Sequence, residues 1–231
     1  MGTPSASQDL QGLPDSLPVF PLPGVLLLPG GRLPLNVFEP RYLAMVRDAL
    51  AGPRLIGMVQ PERADHFLED EGAGEDAGSA RIYPIGCAGR IVTFSETDDG
   101  RYLVTLKGLI RFRVARELPQ TEGYRRVAPE FAPFADDLKE SSGSFDRDRL
   151  LYALERYFEQ QEIEADWDSV TAAPDDRLVT SLSMVCPLPP AEKQALLEAP
   201  DLAARAGTLT TILEMAVLEE AAGTDGGMAR H

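Results

Sequence analysis

Three lysines, two histidines and two cysteines are what 231 residues offer toward nucleophilic or proton-transfer chemistry, besides carboxylates and serines. A serine nucleophile needs a desolvated lysine or a histidine within hydrogen-bond reach. Lys107 stands at a Lys-Gly break between two apolar runs, and Lys193 sits on a helix. Lys139 lies in an acidic linker whose serines, Ser141, Ser142 and Ser144, are linker residues themselves. His66 falls in an acid-rich loop and His231 is the last residue, so a serine has no base. No stretch reads G-x-x-x-x-G-K-[ST], the loop whose amides and lysine cradle a nucleotide's phosphates. Cys87 and Cys186 each stand among apolar neighbours and read as buried core thiols, kept reduced inside a cell.

The carboxylates are equally unpromising as catalysts. Asp98-Asp99 belongs to a hairpin turn ending in Gly100, and Asp175-Asp176 opens a helix. Between Glu62 and Ala80 there are seven acids, one arginine and four Gly or Ser breaks. That run reads as a solvated loop, and its spacing does not fit the Asp-x-Asp-x-Asp-Gly calcium loop. No catalytic residue, metal site or cofactor is expected.

The formal charge of −15 repels a phosphate backbone and disfavours generic nucleic-acid binding. One local exception is Leu109–Arg116, where Ile110, Phe112 and Val114 alternate with Arg111, Arg113 and Arg116. Together with Arg125 and Arg126 these predict a basic strand face, which no obvious aromatic stacking platform accompanies. No run approaches the roughly 18 apolar residues of a membrane helix. The first residues, with neither basic flank nor apolar core, do not resemble a secretory signal. A cytoplasmic location is expected.

The elements that must position these groups begin at residues 17–46, LPVFPLPGVLLLPGGRLPLNVFEPRYLAMV. Five prolines exclude a helix through residue 39 and leave extended pieces, Leu17–Phe20, Val25–Leu28 and Leu33–Phe38. Pro40 then occupies a first helical position, and Tyr42, Met45, Val46 and Ala49 repeat at helical spacing up to Gly52-Pro53. Further strands are predicted over Leu55–Gln60, Arg81–Phe94, Arg101–Leu106, Leu109–Arg116 and Tyr124–Glu130, seven to nine in all. From residue 145 the period changes. Helices are predicted over 145–161 (capped by Ser144), 174–187, 190–198 and 202–221, the last capped by Asp201.

The chain thus divides into a leader (1–14), a mostly-β unit with one helix (15–132), a linker (133–144), a bundle of about four helices (145–222) and a tail (223–231). The leader and tail read as disordered. Antiparallel hairpins of short strands predict a closed or nearly closed barrel, so the fold class is α+β.

The stretch FPLPGVLLLPGGRLPLNVFEPRYLAMV resembles the opening of the substrate-binding N-terminal domain of the Lon protease family, as do IGCAGRI, VTLKGLIRFRV and CPLPPAEKQALLEAPDLAARAGTLTTILE. Matching positions include Glu39, Pro40, Arg41, Gly108, Arg111, Phe112, Val114, Lys193, Gln194 and Arg205, and the likeness spans residues 15–221. Ala206-Gly207 departs from the family's pattern and predicts a loosened or bent last helix. The resemblance implies a PUA-like pseudobarrel followed by helices. The parent protease's ATPase and Ser-Lys peptidase motifs do not occur in this sequence.

The expected function is therefore non-enzymatic: capture of unfolded or extended polypeptide, alone or beside a protease or chaperone. The expected contacts are exposed apolar side chains, Leu26, Leu27 and Leu28 or Phe38 and Tyr42, and a strand edge open to backbone hydrogen bonds. For each of those side chains the competing expectation is barrel core. A role as an adaptor of a full-length protease, or an RNA or small-ligand site, are the alternatives. Nineteen arginines against three lysines fit a GC-rich bacterial genome.

Overall fold

The structure, a computed structural model, describes residues 10–62, 81–139 and 143–226. Six strands form one sheet: β1 (Leu17–Pro21), β2 (Arg32–Val37), β3 (Leu55–Val59), β4 (Ile85–Glu96), β5 (Tyr102–Thr121) and β6 (Tyr124–Glu130). Helix α1 (Pro40–Ala51) separates β2 from β3. A 3₁₀ helix (Ala132–Leu138) leads to α2 (Arg147–Gln160), α3 (Trp167–Ala172), α4 (Asp175–Val185), α5 (Pro190–Glu198) and α6 (Leu202–Gly226). The fold is α+β, a sheet followed by helices, as the hydrophobic periods predict.

Strand β5 organises the sheet. Its whole first half pairs with β4, and its second half pairs with β6. Strand β6 pairs with β1, β1 runs parallel to β3, and β3 returns to β4. These five strands therefore close a ring. Register shifts at Ala88/Gly89 and Ile91/Thr93, and again at Val114/Arg116, mark bulges that let long strands bend around it. Strand β2 is outside the ring. Among the described residues it pairs with β5 alone, from Arg32 against Lys107 to Val37 against Tyr102, which leaves its other edge free of them.

The sequence places a strand break at Lys107-Gly108, yet β5 runs through it. Gly108 is needed for close approach rather than for a turn. Its N–H donates to the Gly31 carbonyl at 2.9 Å, and its carbonyl accepts from Gly30 N–H at 3.0 Å. A Cβ there would lie 1.9 Å from the Leu28 carbonyl oxygen. Because the clash is with backbone, Gly108→Ala is expected to cost about 2–3 kcal/mol and to lower the melting temperature by roughly 5–10 °C in thermal unfolding.

Residues Val25–Leu28, predicted as a strand, join no ladder. Six strands are found among the described residues where seven to nine were expected. The split of β5 and the Val25–Leu28 segment account for the excess. Leu10 and Leu13, in the expected leader, pack against the ring's interior core around Phe112 and Val127, while residues 1–9 lie outside the described residues. The expected linker carries the 3₁₀ helix.

Five helices rather than four follow. Helix α3 was not expected, because WDSVTA shows no apolar repeat. It exists through its cap, with Asp166 accepting from Ser169 N–H, and through Trp167, whose ring lies 5.9 Å from that of Phe158. Asp146, not Ser144, caps α2, accepting from Arg149 N–H at 3.0 Å. Asp201 accepts from Ala204 N–H as expected. Helix α6 runs unbroken past Gly207 to Gly226, five residues beyond the expected end, because Ala206 is buried and Gly207 faces open space. Residues 227–231 of the expected tail lie outside the described residues.

Candidate functional site

Two features stand out once the elements are placed: a buried junction between ring and helices, and an apolar groove along the free edge of β2.

The junction begins with α5. A helix leaves its last carbonyls without intrahelical partners, and buried carbonyls must be satisfied. Arg111, from the middle of β5 and only 4 % exposed, reaches across to them. Its guanidinium donates to the carbonyls of Leu197 (3.1 Å), Ala199 (2.6 Å) and Pro200 (3.1 Å). The same group makes a two-pronged pair with Asp137 of the 3₁₀ helix, at 2.7 and 2.9 Å, and Asp137 also accepts from Arg111 N–H. Arg205 donates to the Leu196 carbonyl at 2.9 Å. Burial, with the like charge of Arg111 next, pulls the Arg205 guanidinium down to about 10.

Gln60, at the end of the β3 segment, makes the second tie. Its amide nitrogen donates to the Pro190 carbonyl (3.0 Å) and the Gln194 side chain (3.3 Å), and its oxygen accepts from Gly24 N–H (3.2 Å). Gln194 in turn donates to the Ile85 carbonyl. Lys193 donates to the Met184 carbonyl at the end of α4, and burial lowers its pKa. Sequence reasoning missed Gln60 and Asp137. Each looks like a polar residue at a strand end or in a linker, and their partners lie 134 and 26 residues away respectively.

The expected basic face does not form. Arg111 is buried in the junction. Arg125 is buried and paired with Glu117, and Arg126 donates to the hydroxyls of Ser16 and Thr121. Only Arg113 and Arg116 remain on the surface. The alternation in β5 is real, but the end of α5 and the 3₁₀ helix cover its basic side at Arg111. Cys87, opposite Arg111 in the sheet, has its thiol pushed far up, first by burial and then by Asp137. Cys186 is pushed up to about 11, chiefly by burial. Both thiols stay protonated and inert at neutral pH.

The groove starts at the β2–α1 corner. Glu39 and Arg41 pair across Pro40 at 2.9 Å, and Arg41 stands 4.8 Å from the centre of the Tyr42 ring. Tyr42 is buried against Phe20 at 4.1 Å, and burial pushes its hydroxyl up to about 12. Phe38 just before the corner is 63 % exposed. Between them runs a cavity of about 320 Å³, walled by Leu22, Val25, Leu33, Leu35 and Phe38 with Asn36 and Glu39 at its rim. Every residue from Leu33 to Glu39 contributes, although neighbours in a strand face opposite ways. The cavity therefore follows the strand's free edge. Pro34, midway, donates no backbone hydrogen bond, which interrupts the edge as a template for a full added strand.

Of the five expected contact residues, then, Phe38 alone is exposed. Leu26, Leu27 and Leu28 are 2 %, 1 % and 0 % exposed and Tyr42 is 4 % exposed, so they are core. The loop carrying the three leucines turns inward over β4 and β5, where Gly89 and Gly108 leave room for it. Among the described residues no group of three or more His, Cys, Asp or Glu is placed to hold a metal, and His66 lies outside them. No helix among them is long and apolar enough to cross a membrane.

A strand ring tied through backbone-capping side chains to a helical array, with an apolar groove on its one free strand, defines a mixed α+β domain whose surface offers contacts. The chain belongs to the family of the ATP-dependent protease La (LON) substrate-binding domain, whose model matches residues 16–215. It is 30 % identical over 203 residues to Lon protease 2 of Myxococcus xanthus and 27 % identical over 198 residues to the Lon protease of Anaeromyxobacter dehalogenans. Each alignment covers 84 % of this chain but only 23 % and 22 % of those proteases, so the chain spans under a quarter of their length. The Lon N-terminal domain protein from Xanthomonas campestris has a similar structure, at TM-score 0.55 and 25 % identity, over 85 % of this chain and 97 % of that one. The N-terminal domain of Mycobacterium avium complex Lon protease shares the fold at TM-score 0.52 and 18 % identity, over 86 % of this chain and 97 % of that one.

Proposed function

We propose that this chain is a non-enzymatic, cytoplasmic polypeptide-binding module that holds extended, apolar-rich segments of unfolded chains in the groove beside β2. One observation carries the reading: a large aromatic, Phe38, stands exposed at the end of an apolar cavity that follows an unpaired strand edge. The family's substrate-binding role supports it. Recognition is by side chains in the cavity, supplemented by those backbone groups of β2 that Pro34 leaves available. The module acts beside a protease or chaperone, which supplies any chemistry.

Titration calorimetry against a reduced, unfolded model polypeptide tests this, with single-stranded RNA as the parallel ligand. Saturable binding that persists at high salt is expected for the polypeptide, and none for RNA. Phe38→Asp is expected to weaken polypeptide binding roughly tenfold, about 1.4 kcal/mol, at an unchanged melting temperature. Wild-type binding that Phe38→Asp leaves intact would move the site elsewhere. Steeply salt-dependent RNA binding would replace the reading altogether.

A further inference from the structure

Strand β2 joins two cavities. Beyond its N-terminal end lies a second one of about 390 Å³, between the Gly30-Gly31 turn and α4. Its character is different. Arg32, the first residue of β2, and Arg177 of α4 both line it, both are exposed, and neither guanidinium has a hydrogen-bond or ion-pair partner among the described residues. Thr180 and Ser181 add hydroxyls, and Met184 and Val185 form an apolar wall, with Val185 77 % exposed. Two carboxylates also face this cleft. Asp137 is committed to Arg111, which leaves Asp176 as an acceptor for a ligand N–H.

A cleft holding two unsatisfied guanidiniums beside an apolar wall suits a carboxylate attached to an apolar group, since guanidinium and carboxylate match in charge and geometry. Arg32 lines the cleft and the next residue, Leu33, lines the apolar groove, so a single ligand laid along β2 would meet both as one track. From Arg32 to Phe38 the strand covers roughly 20 Å at about 3.3 Å per residue, the length of about six extended residues. We propose that this track receives the C-terminal end of a polypeptide. The free α-carboxylate sits between Arg32 and Arg177, the last side chain lies against Met184 and Val185, and the preceding residues run antiparallel to β2 toward Phe38. This rests on the groove reading above and adds to it a polarity and a preferred ligand end.

The test uses a ten-residue peptide with alternating leucine and phenylalanine in its last six positions, fluorescein-labelled at its N-terminus, as free acid and as C-terminal amide. Binding is read by fluorescence anisotropy. The free acid is expected to bind about tenfold more tightly than the amide, and added salt should narrow the gap. Arg32→Gln combined with Arg177→Gln should bring the acid down to the amide's affinity, leave the amide unchanged and keep the melting temperature, both arginines being exposed. Phe38→Asp should instead weaken both peptides alike. Equal binding of acid and amide by the wild type would overturn the carboxylate subsite while leaving the groove standing. So would an acid preference that survives the double substitution. Binding of neither peptide would overturn the groove and the subsite together.

Discussion

Replacing Arg111 with alanine is expected to destabilise the whole chain by about 3–5 kcal/mol, the usual cost of removing one partner from a buried ion pair. The loss has two parts. Asp137, 9 % exposed, is left as an unpaired buried carboxylate, and the carbonyls of Leu197, Ala199 and Pro200 lose their donor at the end of α5. Asp137→Asn should cost less, because an amide oxygen still accepts from the guanidinium while Arg111 keeps its helix carbonyls. Urea unfolding measures both, with far-ultraviolet circular dichroism for the whole fold and fluorescence of Trp167, the single tryptophan, for the helical half. A fall below about 1 kcal/mol for Arg111→Ala, the level of an exposed pair, would show that the junction does not hold the two halves together.

Leu27→Asp is expected to lower the melting temperature by more than about 10 °C or to prevent folding. Leu27 is 1 % exposed and leans on the bare Cα of Gly89, where an added Cβ would come within 2.6 Å of its Cδ2. Truncating such a leucine to alanine costs about 2–5 kcal/mol. A carboxylate adds the penalty of a buried charge or of the proton it must take up. Leu27→Ala, which keeps the site apolar, should fold and show the first part alone. Thermal unfolding of both variants decides the matter. An unchanged melting temperature accompanied by weaker polypeptide binding would return Leu27 to the surface and make the 25–28 loop part of the binding site.

The sequence made α1, the helix starts at Asp175 and Pro190, and most of the sheet legible because those elements depend on local signals: a proline at the first turn, an apolar period, a turn dipeptide. What stayed hidden depends on tertiary approach. Gly108 reads as a break from the sequence alone, and only the Leu28 carbonyl lying against it shows that the strand continues. Leu26–Leu28 read as barrel core more readily than as contacts, and the 25–31 segment folded over the sheet places them there. Arg111 looks like one member of a basic stripe, because period-two alternation says which residues share a face but not whether a helix covers it. Gln60 and Asp137 carry no local signature at all. Phe38 and the groove were half legible. The motif pointed to the β2–α1 corner, while the choice among its apolar residues required knowing which of them the ring encloses.

The placement of β2 outside the closed ring separates two demands that usually conflict. The ring is complete through β5 and β6 without it, and β2 is tied to the rest of the sheet by a single ladder of six residue pairs. On the function proposed above, an edge that fits clients of differing shape has to yield, and a hydrogen-bonded ring that yields loses cooperativity along its whole circumference. Hung on the outside, β2 can lose a ladder pair without opening the ring, although Leu33, Leu35 and Val37 still anchor its inner face to the core. On that proposal, tolerance toward many sequences and resistance to global unfolding fall to different strands of the same sheet, so selection can broaden the one without eroding the other.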